Sequence, residues 1–263
     1  MSFHPLPSRR ALAVAALVAS LLLAFGAGSA QEDPEVPRDA DAILDAMVEN
    51  LRGSGQRATM HLTVERPSET RTYRLEIVSD GTERSLTRVI EPPRDAGQAF
   101  LVDGSELFVY SPRLGRVLRL PPSGRSDGFL GSDLSYDDLA GDELRDRYDA
   151  SVAEWREEEV ELSLLPRTGA PTPYGELRFT ASLPDLAPLA LDYFDQRDQV
   201  VKRLRFSAFE TTPSGHRVPR RFEVTDLTRE GGRTVAEWTE VEDDVSPPER
   251  CFTQQALERG CDE

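Results

Sequence analysis

The chain has 263 residues, with 47 acidic side chains against 31 basic ones and a formal net charge of −16 at neutral pH. Phosphate backbones and anionic bilayer surfaces repel so acidic a chain, which excludes nucleic acid as a partner and requires any lipid to be held by an apolar site rather than by charge. Cys251 and Cys261 are the only cysteines, and two thiols without a nearby histidine make a poor zinc set.

Residues 1–30 have the layout of a secretory signal. Arg9-Arg10 supply the positive region, Ala11 to Phe25 the apolar core, and Gly28-Ser29-Ala30 the small-residue cleavage site. The core is short and Ala-rich and runs straight into small residues, so we read a signal peptide cleaved near Ala30 rather than a membrane anchor. Ser8-Arg9-Arg10 matches a twin-arginine signal only in part. Residues 31–38, with Pro34 and Pro37, are a polar leader. Asp39 then caps a helix whose Ile43, Leu44, Met47, Val48 and Leu51 recur at three- and four-residue spacing, and Gly53 closes it.

From Arg57 the period changes to two. Met60, Leu62 and Val64 predict one strand, Tyr73, Leu75 and Ile77 a second, and Leu86, Val89 and Ile90 a third, with turns at Pro67-Ser68-Glu69 and Asp80-Gly81. Three short runs follow, Gln98–Val102, Glu106–Tyr110 and Arg116–Leu120. In the middle one Leu107 and Val109 alternate with Phe108 and Tyr110, so both faces are apolar and each needs a cover. Ser123–Leu139, which places Phe129, Leu130, Leu134 and Tyr136 among glycines, serines and aspartates, has the composition of a short, mobile helical lid, with Ser135 and Asp138 spaced as a capping box.

Beyond it, strands are predicted at Asp149–Trp155, Glu158–Leu164, Gly175–Ala181, Leu189–Tyr193, Val200–Phe209, Arg217–Leu227 and Thr234–Val241. No helix long enough for a parallel crossover intervenes, so the strands should form one continuous, strongly curved antiparallel sheet. Cys251 and Cys261 are spaced to close a small disulfide loop in an oxidising compartment.

Signatures of catalysis do not occur. His61 and His216 stand in no constellation, and there is no nucleophile elbow, zinc-protease helix or phosphate loop. Asp137-Asp138 reads as an acidic helix start. Asp142–Asp149 lacks the loop spacing of a calcium site. No catalytic residue, cofactor or metal is expected.

The run Phe100-Leu101, Leu107-Phe108-Val109-Tyr110-Ser111-Pro112, Gly115-Arg116-Val117, Leu120-Pro121-Pro122 and Phe129-Leu130-Gly131-Ser132-Asp133-Leu134 resembles the outer-membrane lipoprotein-sorting family, similar in fold to the lipoprotein carriers LolA and LolB. The likeness is densest over residues 55–140 and continues more loosely to about residue 255, through Phe194–Val201 and Arg217-Val218-Pro219-Arg220-Arg221. It departs at Glu154–Val160, a short acidic stretch where the family has a longer hairpin.

The resemblance implies an open, incomplete antiparallel β-barrel with helices packed in its concave side. The barrel would span residues 39–250, with a lid over 121–141 and a C-terminal disulfide turn over 251–263. It further implies a ligand cavity and lid built from Phe100, Phe108, Tyr110, Leu118, Leu120, Phe129, Leu130 and Leu134. The function implied is that of a monomeric periplasmic carrier of a lipid or acylated protein, working between an inner-membrane exporter and an outer-membrane acceptor. An envelope sensor or adaptor protein of the same fold is the alternative.

Overall fold

The computed structural model describes residues 36–139, 144–229 and 231–261. The expected signal peptide, most of the leader, lid residues 140–141 and the start of the acidic 142–149 segment lie outside the described residues. Thirteen strands form one sheet in which every pairing is antiparallel: β1 (Gln56–Arg66), β2 (Glu69–Ser79), β3 (Arg84–Glu91), β4 (Ala99–Asp103), β5 (Glu106–Ser111), β6 (Arg116–Arg119), β7 (Tyr148–Trp155), β8 (Glu159–Pro166), β9 (Glu176–Ser182), β10 (Pro188–Phe194), β11 (Val200–Thr211), β12 (Arg217–Asp226) and β13 (Arg233–Asp243).

The spatial order is β6-β5-β4-β3-β2-β1-β13-β12-β11-β10-β9-β8-β7. The chain therefore starts mid-sheet, steps outward to the β6 edge, crosses to the far β7 edge, and steps back until β13 pairs with β1. Every connection joins neighbouring strands except the one from β6 to β7. That crossover carries the predicted lid, and its buried Phe129 and Leu134 pack into the cluster on the concave face.

Period-two alternation supplies the core. Met60, Leu62 and Val64 on β1, Val160, Leu162 and Leu164 on β8, and Leu177, Phe179 and Ala181 on β9 are all buried on one face. Phe100 of β4 shares one hydrophobic cluster with residues of β8 and β9, so the two halves of the sheet curl toward each other without closing. Each fully buried Leu or Phe contributes about 1.5–3 kcal/mol relative to exposure.

Helix α1 (Ala40–Arg52) fills the concavity. Asp39 Oδ2 accepts from Ala42 N at 3.0 Å, and Gly53, at φ 64°, ends the helix by donating to the Glu49 carbonyl. Ile43, Leu44 and Met47 are completely buried. The next turn docks through Asn50, whose Nδ2 donates to the carbonyls of Asp185 and Leu186 while its Oδ1 accepts from Arg217 N at 2.7 Å. The acidic side of α1 meets Arg145, from the one-turn helix Leu144–Arg147, at Asp41 and Asp45.

A second, smaller cluster lies on the convex side. Leu86, Leu101 and Phe108 pack against Phe252, Ala256 and Leu257 and the Cys251–Cys261 disulfide, with Tyr110 and Val117 at the margin. The short helix Gln254–Arg259 is held there by Arg88, which donates to the carbonyls of Ala256 and Leu257 at 2.7 and 3.1 Å. Each apolar face of β5 thus has a different cover. The acidic Glu154–Val160 stretch forms a plain hairpin, with Trp155 opposite Val160 and Arg156 bonded to Glu154 and Glu159.

Candidate functional site: an apolar cavity on the concave face

Between α1, the crossover and the concave side of the sheet lies a cavity of about 430 Å³, within the size range of small-ligand sites. Alternation decides its lining. Val48 and Leu51 face it from α1, next to the stripe that is fully buried. Leu191 and Tyr193 face it from β10, Leu204 and Phe206 from β11, Val218 and Phe222 from β12, and Met60 and Trp238 from β1 and β13. The rings of Phe222 and Trp238 pack at a tilt of 58° with centroids 5.3 Å apart.

A buried ion pair closes each end. At the crossover end Lys202, the only lysine of the chain, meets Asp138, and its Nζ lies 4.9 Å from the centre of the Tyr193 ring. At the other end Arg220, only 8 % exposed, donates from Nε to Glu210 at 2.9 Å and from Nη2 to Asp243. Burial, reinforced by the neighbouring Asp138 carboxylate, holds the Tyr193 hydroxyl well above its ordinary pKa of 10.0. A second, polar cavity of about 220 Å³ lies beside the crossover and is lined by Lys202, Asp133, Asp226 and Arg229.

The crossover is anchored firmly. Asp133 accepts from Arg66 Nη1 at 3.0 Å and from the fully buried Thr234 hydroxyl at 2.9 Å. Arg66 also donates to the Gly131 carbonyl, and the Tyr73 hydroxyl to that of Leu130. Leu130 itself adopts φ 51°, a left-handed conformation that costs a non-glycine residue about 1–2 kcal/mol and persists only where contacts enforce it. Downstream, Ser135 N donates to Asp138 Oδ2 at 2.6 Å and Asp138 N donates to Ser135 Oγ at 3.2 Å, which is the expected capping box at the start of the helix Tyr136–Leu139.

The structure distributes the eight residues proposed for cavity and lid over three places. Phe129 and Leu134 line the cavity. Phe100 stands behind Phe129, ring centroids 4.9 Å apart, and Leu130 packs at the edge of the same cluster. Leu118 is 38 % exposed and Leu120 half-buried, and neither lines the cavity. Phe108 and Tyr110 do not belong to its wall: they point to the convex side, against the C-terminal helix. The correction follows from strand parity, since Phe108 pairs with Leu101 whereas Val109, opposite Phe100, is the residue turned inward.

Phe129 also differs from a loosely held lid residue. It is fully buried, with Tyr136 edge-on to it at 5.8 Å. The sequence reading missed most of the wall, which comes from β10 to β13. The signal was present in the alternation Lys202, Leu204, Phe206 and Val218, Arg220, Phe222, but only the tertiary fold shows which parity faces inward.

A curled, unclosed antiparallel sheet with a helix and a crossover enclosing an apolar cavity defines a LolA-like half-barrel. A family model described as "Uncharacterized protein" matches residues 81–259, and the chain belongs to that family. No curated protein matches the chain. Among solved structures it is similar to a DUF1329 family protein from Desulfovibrio piger ATCC 29098, with 25% identity and a TM-score of 0.73 over 83% of this chain and 98% of that one. A domain assigned to outer membrane lipoprotein sorting from Vibrio parahaemolyticus matches with a TM-score of 0.70 at 21% identity, over 84% of this chain and 100% of its own. A LolA superfamily protein from Nitrosomonas europaea matches with a TM-score of 0.66 at 21% identity, over 81% and 97%. These likenesses agree with the fold implied by the sequence motifs.

Proposed function

We propose that this protein is a periplasmic carrier that shelters the acyl part of a lipid or lipidated protein in the concave cavity and passes it on without catalysis. The observation that supports this reading is the partly open, mostly apolar cavity lined by Val48, Leu51, Leu191, Leu204, Phe206 and Phe222. Each methylene moved from water into such a site gains about 0.8 kcal/mol, so a ten-methylene segment gains roughly 8 kcal/mol before the costs of binding. Export through the residue 1–30 signal would put the protein between two membranes, and the fold it shares with lipoprotein-sorting proteins suits a shuttle there. No described helix is long and apolar enough to cross a membrane.

The test uses chain isolated from the cell envelope. Organic extraction followed by mass spectrometry should find a bound acyl lipid, and the stripped protein should bind a fluorescent acyl probe. Val48→Trp, which fills the cavity from the half-buried side of α1, should lower probe affinity at least tenfold while leaving the melting temperature within a few degrees. Parent protein that carries no lipid and binds no probe would refute the carrier. A stoichiometric protein partner in its place would favour an adaptor of the same fold.

A further inference from the structure

The cavity wall is mostly apolar, and one end carries donors without acceptors. Arg220 is more than nine-tenths buried in its wall, and Nε and Nη2 are engaged by Glu210 and Asp243. Its Nη1 amino group makes no hydrogen bond among the described residues. On the adjacent strand Trp238 also lines the cavity, and its indole Nε1 is buried without a partner. Arg220 has the parity of Phe222, and Trp238 that of Ala236, the partner of Phe222, so both face the concave side. Gln56, opposite Asp243 in the β1–β13 register, and Ser85 complete a polar rim at this end. A buried donor without an acceptor is costly, and Trp238 Nε1 in the same wall as the unengaged Arg220 Nη1 points to a ligand that brings the acceptor.

We infer that this end is a headgroup subsite for a carboxylate, and that the cavity takes a long-chain fatty acid with its carboxylate on Arg220 Nη1 and Trp238 Nε1 and its tail running toward the crossover. This rests on the acyl-carrier reading and assigns its ligand class and orientation. The length suits a long tail: Lys202, at the far end, pairs with Asp226, six residues along β12 from Arg220, or roughly 20 Å at about 3.3 Å per residue. Lys202 does not compete for the carboxylate, because its ammonium is taken by Asp138 and faces the separate polar cavity. Asp243 and Glu210 hold the other edges of the guanidinium and leave Nη1 for a ligand, whereas the other cations of the wall, Arg52 and Arg147, already have partners.

The experiment titrates the delipidated full-length mature chain with a fluorescent long-chain fatty acid and, separately, with its methyl ester. The acid should bind about tenfold more tightly than the ester, as expected for a charge-assisted hydrogen bond from a guanidinium that Glu210 and Asp243 already neutralise. Trp238→Phe keeps the ring against Phe222 and removes only the N–H. It should weaken acid binding several-fold and leave the ester unchanged. Arg220→Gln should erase most of the remaining preference, and if that variant does not fold, Trp238→Phe decides the matter alone. Equal affinity of acid and ester for the parent, or equal losses of both in Trp238→Phe, would overturn the subsite while leaving an acyl carrier standing. Binding of neither probe would overturn both.

Discussion

Phe129 is the residue through which the crossover is tied to the core, and Phe129→Ala measures how firmly. Its ring is completely buried, edge-on to Phe100 at 4.9 Å and to Tyr136 at 5.8 Å. Truncating a buried Phe to Ala costs about 3–5 kcal/mol, and the two aromatic contacts, each worth about 0.5–1.5 kcal/mol beyond area, place this site toward the upper part of that range. For a domain of this size 1 kcal/mol moves the melting temperature by about 2–4 °C, so the variant should melt roughly 6–20 °C below the parent. Urea unfolding monitored by circular dichroism should give the same loss as a lower midpoint at unchanged slope. A loss under about 1 kcal/mol would refute the reasoning, because the crossover would then be a detachable cover and the core would close without it.

Two further substitutions test the charges that fix the crossover. Arg66→Met leaves the Asp133 carboxylate, 3 % exposed, without its cation and should cost about 3–5 kcal/mol; the double variant Arg66→Met/Asp133→Asn should recover much of this in denaturant titrations, and an additive double loss would show that the pair is not coupled. Tyr193 titrates in the folded state well above its ordinary value of 10.0 because it is buried and lies beside Asp138. The folded protein therefore holds the phenol proton that the unfolded chain gives up, so the contribution of Tyr193 is complete below pH 10 and declines as pH rises from there toward the folded-state value. Tyr193→Phe should flatten the stability profile above pH 10 relative to the parent, and parallel profiles would refute the assignment.

Local signals account for much of this molecule. Asp39 and Gly53 bound the helix, Ser135 and Asp138 form their capping box, and the strands after Asp149 start and stop within two residues of the turn signals that predict them, because caps, turns and period-two alternation are set by neighbours a few residues away. The apolar character of both faces of β5 was equally legible. Which cover meets which face was not. Parity along Leu107-Phe108-Val109-Tyr110 separates two sets of side chains but does not say which set turns inward, and that was decided by the curl of the thirteen-strand sheet and by the C-terminal helix occupying the convex side.

The same holds for the cavity wall. Leu191, Phe206, Phe222 and Trp238 are ordinary strand residues in sequence, and they become a site only because β13 returns to pair with β1 and brings β10 to β13 under α1. The ion pair of Lys202 with Asp138 spans 64 residues and that of Arg66 with Asp133 spans 67. The sequence alone determined the elements and the antiparallel sense of their pairing, since those depend on short-range chemistry and connection length. Only the tertiary structure decided the inward face, the anchoring of the crossover and the pairing of buried charges, because each depends on contacts between segments whose separation along the chain carries no local signal.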